Sequence, residues 1–149
     1  MQNLQTVRQH SHGILARAEE IQARPLWEAL APELPAYTRL RGPEPGLIMV
    51  QGRIAGDGSP FALGEATVTR CTIQLSSGVR GTGHVLGRSA FLAEITAVAD
   101  ALVQEESMRH LVEEGLLQPL LALQKKKARL RDAETAATRV DFFTLVRGD

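Results

Sequence analysis

The chain has 149 residues, of which 17 are Lys or Arg and 17 are Asp or Glu, so its formal net charge is zero. That length is enough for one ordinary domain with a substantial core. The balanced charge argues against a nucleic-acid or membrane-surface partner, because such binders carry a strong positive field, and any anion site must be local. The single cysteine, Cys71, and the lack of an apolar run of about 20 residues predict a cytoplasmic protein.

Residues 4–23 carry apolar side chains at steps of three and four, which predicts a helix with one apolar stripe. The members of the stripe are Leu4, Val7, Ile14, Leu15, Ala18 and Ile21. Pro25 is expected to begin a short second turn. Pro32 and Pro35 should end any helix, because proline lacks an N–H donor and clashes with the preceding turn.

From Tyr37 to Leu86 the chain reads as strands separated by turn clusters. The clusters are GPEPG at 42–46, GDGSP at 56–60 and SSG at 76–78, and the strands predicted between them are 37–41, 47–54, 61–75 and 79–86. Because connections this short join antiparallel neighbours, we expect a four-stranded antiparallel meander.

The C-terminal half is predicted to be helical. Ser89 can cap a helix that carries Phe91, Ile95, Val98 and Leu102 on one side. A second cap is expected at Ser107, and Gly115 with Pro119 should divide the following leucine-rich stretch into two short helices. The polar segment 124–138 is also expected to be helical.

These elements predict the α+β class, with all 149 residues in one domain. Its parts are an N-terminal helical arm (1–35), an antiparallel sheet (36–88), helices (89–138) and an extended docking tail (139–149).

Strand alternation predicts that one face of the sheet is rich in polar side chains. It would combine Gln51 and Arg53 with Val68, Arg70, Thr72 and Gln74, and with Arg80, Thr82 and His84. Guanidinium and imidazole groups among hydroxyls and amides are typical of a phosphate site. The alternative is an ordinary solvated face of an antiparallel sheet.

The stretch GTGHVLGR at 81–88 invites comparison with a dinucleotide-binding loop. Its glycines are spaced one residue too far apart, and no parallel βαβ unit surrounds them, so a Rossmann site is excluded. The glycines allow a backbone or a ligand to approach the strand closely. Arg88 stands at the next helix N-terminus, where free amides favour an anion, although a simple strand-to-helix turn is the alternative.

Metal and nucleophile motifs are absent from the sequence. His10 and His12 are two residues apart and point to different sides of a helix, while His84, His110 and Cys71 lie on different elements. We therefore expect no bound metal and assign no catalytic residue. The basic stretch KKKARLR at 125–131 is either a contact for nucleic acid or a phosphorylated partner, or a solvated helix face.

The sequence ends in ATRVDFFTLVRGD, residues 137–149. Burial of Phe142 and Phe143 would be worth about 1.5–3 kcal/mol each, so the tail should either return to its own sheet or dock on another chain. The predicted partner contacts are Val140, Phe142, Phe143 and Arg147.

Three stretches resemble the PhnG family, the G subunit of the bacterial carbon-phosphorus lyase core complex. They are GEATVTRCTIQL (64–75), GHVLGRSAFLAEITAVADAL (83–102) and TRVDFFTLVRGD (138–149). The resemblance implies a cytoplasmic subunit that assembles with PhnH, PhnI and PhnJ in a hetero-oligomer with two copies of each, with PhnK and PhnL in the wider system.

The resemblance also implies a part in a transferase reaction. In the family, an alkylphosphonate such as methylphosphonate attacks the ribose C1 of MgATP, and adenine leaves. The chain itself would be inactive alone and bind no cofactor, with MgATP as a co-substrate of the complex.

The resemblance suggests three candidate anion-binding or substrate-binding residues. Arg70 lies in the family's ATxTR stretch, Arg88 in its GR pair, and Arg53 where the family often has arginine. The alternative is a non-catalytic assembly scaffold with no group near the substrate.

Overall fold

The computed structural model describes residues 3–138 and confirms the α+β class. The helices are α1 (Leu4–Leu15), α2 (Glu20–Leu30), α3 (Ala90–Leu102), α4 (Glu106–Val112) and α5 (Gln118–Ala137), and the strands are β1 (Tyr37–Arg53), β2 (Pro60–Leu75) and β3 (Arg80–Leu86). Helices precede and follow an antiparallel sheet, and α3 lies against one face of that sheet. Across the described stretch, no helix combines the length and apolarity needed to cross a bilayer.

The sheet has three strands in the order β1-β2-β3, so the predicted four-stranded meander is wrong. The segments expected as separate strands at 37–41 and 47–54 are one strand, because β1 continues through GPEPG. Register shifts between Arg39 and Arg41 and between Arg41 and Glu44 absorb the irregularity as bulges. Pro43 and Pro45 are tolerated there because β1 is an edge strand, on which an outward-facing N–H needs no partner.

The other two predicted turns are confirmed. The β1–β2 connection contains a short 3₁₀ turn, Ile54–Gly56, in which Ala55 and Gly56 have φ of 53° and 89°. The β2–β3 connection is a tight turn in which Leu75 N donates to Val79 O at 2.9 Å. Gly78 has φ of 93° there, a left-handed conformation that glycine adopts without a steric penalty.

Helix α3 begins and packs as its sequence predicts. Ser89 Oγ accepts a hydrogen bond from Leu92 N at 3.1 Å, and the predicted side chains Ile95, Val98 and Leu102 are buried. A Cβ atom on Gly83 would lie 2.1 Å from the carbonyl oxygen of Ala93. The close approach that this glycine permits is therefore made by the backbone of α3.

The N-terminal prediction of one helix over 4–23 is wrong, because α1 ends at Leu15 and α2 begins at Glu20. Val7 and Ile14 are buried as expected, whereas Ile21 is 82% exposed. The break redirects α2 so that Leu30 packs against Gly115, where an added Cβ would lie 2.5 Å from Leu30 Cδ2. Pro25 lies inside α2 and does not start a new turn.

The C-terminal helices follow one another without the break that the sequence predicts. Ser107 is not a cap, because α4 begins at Glu106 with Glu105 at the N-cap position. The chain stays helical through Gly115 in a π turn, Glu113–Leu117, which α5 follows directly. Pro119 lies in the first turn of α5, immediately after the π turn. The predicted helix over 124–138 is confirmed as far as Ala137.

Candidate anion pocket and apolar hairpin

The face of the sheet away from α3 carries the polar side chains of β2 and β3. Along β2, Cys71 and Ile73 are buried on the α3 side, so Arg70 and Thr72 lie on the opposite, open face. The β2–β3 register places Arg70 opposite His84, Thr72 opposite Thr82 and Gln74 opposite Arg80. Because facing residues of an antiparallel pair share a side, the predicted grouping of these six side chains is confirmed.

Arg53 does not join this group. It pairs with Pro60, ten residues before Arg70 on β2, which corresponds to about 33 Å along the strand. The expected convergence of Arg53 with Arg70 and His84 therefore fails, because β1 and β2 form one long hairpin and Arg53 is at its tip. There its Nη1 donates to Gly58 O at 3.2 Å.

Arg88 lies in the exposed turn between β3 and α3. Within residues 3–138 neither Arg88 nor Arg70 forms an ion pair or a side-chain hydrogen bond. The turn itself is fixed by Gly87, whose N–H donates to Thr67 O at 2.8 Å and whose carbonyl accepts from Thr69 Oγ1 at 2.7 Å. The expected strand-to-helix turn is therefore present, and the guanidinium of Arg88 is exposed to solvent.

An open pocket of about 400 Å³ lies at one end of the polar face. Arg70 and His84 provide its polar lining, and the apolar lining comes from Ala16, Ile48, Val68, Val85 and Leu86. A guanidinium can bind two oxygens of a phosphate or phosphonate, and an imidazole can donate a third hydrogen bond. We call this the anion pocket, because its lining combines a guanidinium and an imidazole with apolar side chains.

A buried carboxylate fixes the strand that carries His84. Asp100 of α3 is 1% exposed and receives hydrogen bonds from Arg8 Nε and Nη2, both at 2.8 Å, and from the backbone N–H of Thr82 at 3.0 Å. His12 Nε2 lies 3.1 Å from the same carboxylate. Burial is the largest single influence and would raise the pKa of Asp100, but the hydrogen bonds from His12, Arg8 and Thr82 together hold that pKa well below its ordinary value.

A second acidic side chain of α3 connects that helix to β1. Glu94 accepts hydrogen bonds at 2.8 Å from the hydroxyl of Tyr37 and from Nε and Nη2 of Arg39. Burial, followed by the hydrogen bond to Glu94, raises the pKa of Tyr37 to about 12. Cys71 is buried, and this burial raises the pKa of its thiol.

Beyond the anion pocket the sheet narrows to two strands. The last β2–β3 pair is Val68 with Leu86, so residues 47–67 form a two-stranded extension of β1 and β2. We call this extension the apolar hairpin, because its large hydrophobic side chains are between 37% and 65% exposed. They are Leu47, Ile48, Met49, Val50, Ile54, Phe61 and Leu63.

The two faces of the apolar hairpin are both hydrophobic. Ile48 and Val50 share the side of Val68 and Arg70, whereas Leu47 and Met49 point to the other side. Phe61 and Leu63 cover Gly52, whose added Cβ would lie 2.9 Å from Leu63 Cδ1 and 3.6 Å from Phe61 Cζ. Sequence reasoning identified these strands but made no prediction about the exposure of their apolar side chains.

The basic stretch at 125–131 lies on α5. Lys127 forms an ion pair with Glu19, and a cavity of about 390 Å³ lies beside it. The cavity is lined by Arg17, Glu19, Gln22, Leu123, Gln124, Lys127, Ala128 and Arg131. The predicted partner contacts Val140, Phe142, Phe143 and Arg147 lie outside the described residues.

Comparison with known proteins identifies a group of subunits involved in phosphonate metabolism. The sequence profile of the family described as phosphonate metabolism protein PhnG matches residues 6–148. A relative from Rhizobium meliloti (strain 1021), described as alpha-D-ribose 1-methylphosphonate 5-triphosphate synthase subunit PhnG, is 46% identical over 136 residues. The match spans 91% of this chain and 86% of the relative. The chain therefore belongs to the PhnG family, as its three resembling stretches predicted.

Proposed function

We propose that this chain is the G subunit of an alpha-D-ribose 1-methylphosphonate 5-triphosphate synthase. The observation that carries the proposal is the 46% identity to a subunit of that name over most of both chains. In this role the chain supports transfer of the ribose triphosphate moiety of ATP to an alkylphosphonate, with release of adenine. It works in the cytoplasm as part of a hetero-oligomer with PhnH, PhnI and PhnJ.

The proposed subunit is not an enzyme by itself. Its anion pocket lies on an open sheet face, and a neighbouring surface is needed to exclude water before electrostatic interactions there become strong. MgATP is a co-substrate of the assembled complex and not a cofactor held by this chain. The exposed apolar hairpin supports the same view, since such surface is usually covered by another protein.

Within the complex, Arg70 and His84 bind an anionic group of the substrates. Both ATP and a phosphonate carry oxygens that a guanidinium can bind in a bidentate manner. The side chains of Ile48, Val68 and Leu86 accept the less polar part of the same molecule. Arg70 supplies the charge, and the register of β2 and β3 places His84 beside it.

The test is adenine release by the assembled complex. Arg70→Ala should lower kcat/KM about 10- to 100-fold, because a hydrogen bond to a charged group contributes about 1.5–3 kcal/mol. Arg80→Ala is the matched control: it removes the same charge from the same sheet face, four residues along β3 from His84, and should change the rate less than about two-fold.

Two outcomes would contradict the proposal at different levels. Equal adenine release with and without this chain would show that it is not part of the synthase reaction. Full activity of Arg70→Ala and His84→Ala in correctly assembled complexes would instead favour a non-catalytic assembly scaffold, which the exposed apolar hairpin would also serve.

A further inference from the structure

The apolar hairpin holds more of the exposed large hydrophobic side chains than any other part of the described residues. It carries apolar side chains on both faces, and within residues 3–138 β2 has no strand neighbour on its outer side before Val68. A two-stranded hairpin without cover is marginally stable in water. Its exposed side chains therefore need a surface that the described part of the chain does not provide.

The size of the hairpin limits what can cover it. Seven residues of β1, Leu47 to Arg53, give a length of about 24 Å, and two strands give a width of about 10 Å, so each face offers about 250 Å². A second copy of this chain stacked on one face would bury about 500 Å² in total. A stable interface requires about 1,000 Å² or more, so a self-pair through one face is too small.

We infer that the apolar hairpin inserts into a hydrophobic cleft of another subunit of the synthase, which contacts both of its faces. This inference rests on the proposed function, because it takes the partner from the proposed complex. A cleft that encloses the two faces, both strand edges and the tip would bury the area of about 1,000 Å² that a stable interface requires. Contact through a single face would not. Main-chain groups along the free edges add hydrogen bonds to such a cleft.

The hairpin lies next to the anion pocket, so a partner bound to the hairpin also affects that pocket. Ile48 belongs both to the hairpin and to the lining of the anion pocket. A subunit seated on the Ile48 face therefore lies directly beside Arg70 and His84. The inserted hairpin thus closes the anion pocket with a wall from the partner, and the complete site is formed by two different chains.

Single aspartate substitutions on opposite faces test the cleft. Ile48→Asp and Met49→Asp are neighbours that point to opposite sides, and both side chains are already exposed, so the isolated chain should keep its fold. Leu130→Asp on α5 is the matched control, since Leu130 is 59% exposed and Met49 is 58% exposed. Each variant carries an affinity tag and is co-expressed with PhnH, PhnI and PhnJ.

We expect both hairpin variants to recover at least 10-fold less of the partner subunits than wild type, and Leu130→Asp to recover the wild-type amount. Thermal unfolding of each purified variant checks the fold. Wild-type recovery by either hairpin variant would overturn the two-faced cleft, as would an equal loss in the control. A wild-type dimer in sedimentation that either variant dissociates would assign the hairpin to a second copy.

The two proposals fail in different ways. If the wild-type chain supports adenine release while the hairpin variants assemble normally, the cleft is wrong and the proposed function stands. If the wild-type chain neither binds these subunits nor affects adenine release, the proposed function itself is wrong.

Discussion

Glu94 and Asp100 are the two acidic residues of α3, and each accepts hydrogen bonds from side chains of another element. Sequence periodicity predicted the apolar stripe of α3 but not these two contacts. The available signal was that an ionised residue inside an apolar helix needs a cationic partner when it is buried. The identity of the partner depends on how α1 docks on α3, and spacing along one helix does not contain that information.

Tyr37 should titrate well above an ordinary tyrosine. It is the only tyrosine in the chain, so the ultraviolet absorbance of tyrosinate reports on it alone. We expect a midpoint near its raised pKa of about 12 and a lower midpoint in Glu94→Gln, which loses the charged acceptor but keeps the burial. A wild-type midpoint near 10, the value of a free tyrosine, would contradict the buried contact.

The sign of the Tyr37 contribution follows from its raised pKa. The folded state holds the proton more tightly than the unfolded state, so the stabilisation is complete below about pH 10. It should be lost as the pH rises from about 10 through the folded pKa of about 12. Urea denaturation across that range would measure it.

Asp100→Asn should destabilise the fold by about 3 kcal/mol. Loss of a buried partner typically costs about 3–5 kcal/mol, and the lower end applies because Arg8 and His12 are partly exposed and can recover water. Asp132→Asn is the control: Asp132 is exposed on α5, and its substitution should stay within about 0.5 kcal/mol. Urea denaturation at neutral pH measures both changes.

Acid should remove the stabilisation of the fold that the Asp100 carboxylate provides. Its folded pKa is depressed, so its contribution is present above the unfolded value of about 3.9 and is lost as the pH falls below that value. The difference in unfolding free energy between wild type and Asp100→Asn should therefore shrink below about pH 4. A difference that stays constant would exclude this carboxylate as the titrating group.

At the scale of elements, the positions of strands and helices followed from the sequence, but their continuity did not. GPEPG has the composition of a turn, yet β1 passes through it, because an edge strand tolerates proline and absorbs the irregularity as bulges. Gly115 likewise lies in a π turn and does not end the helical stretch. Local composition cannot distinguish a stop from a bulge, because the neighbouring element decides which one forms.

Packing between β3 and α3 should be intolerant of even one methyl group at Gly83. In Gly83→Ala the new Cβ would lie 2.1 Å from Ala93 O and 2.7 Å from Ala97 N, both backbone atoms of α3. We expect a loss of about 3 kcal/mol or more, since overpacking that moves backbone lies at the upper end of such costs.

Gly42→Ala provides the control for this substitution. Gly42 also lies in a strand, and an added Cβ there would meet nothing within 4 Å. We expect its unfolding free energy to change by less than about 0.5 kcal/mol. Equal stability of the two variants in urea denaturation would contradict the close approach of α3 to β3.

For the whole molecule, alternation placed Arg70 and His84 each on the polar side of its own strand, because a strand has a period of two residues, and the β2–β3 register brings those two sides together. It did not predict that Arg53 is about 33 Å from Arg70, since that distance depends on the length of the hairpin. The sequence also could not separate the apolar residues of the core from those of the hairpin. Both sets have the same composition, and only the end of β3 at Leu86 distinguishes them.

Because of its exposed hairpin, the amount of this chain that is made should match the amount of its partner subunits. A copy of the chain without its partner subunits exposes strand edges and apolar side chains to other such copies. This exposure is a usual starting point for aggregation or proteolysis. A cell that translated this chain in surplus would waste it. With the proposed partner cleft, matched synthesis of this chain and its partner subunit would prevent this loss, and the need for it comes from one exposed hairpin.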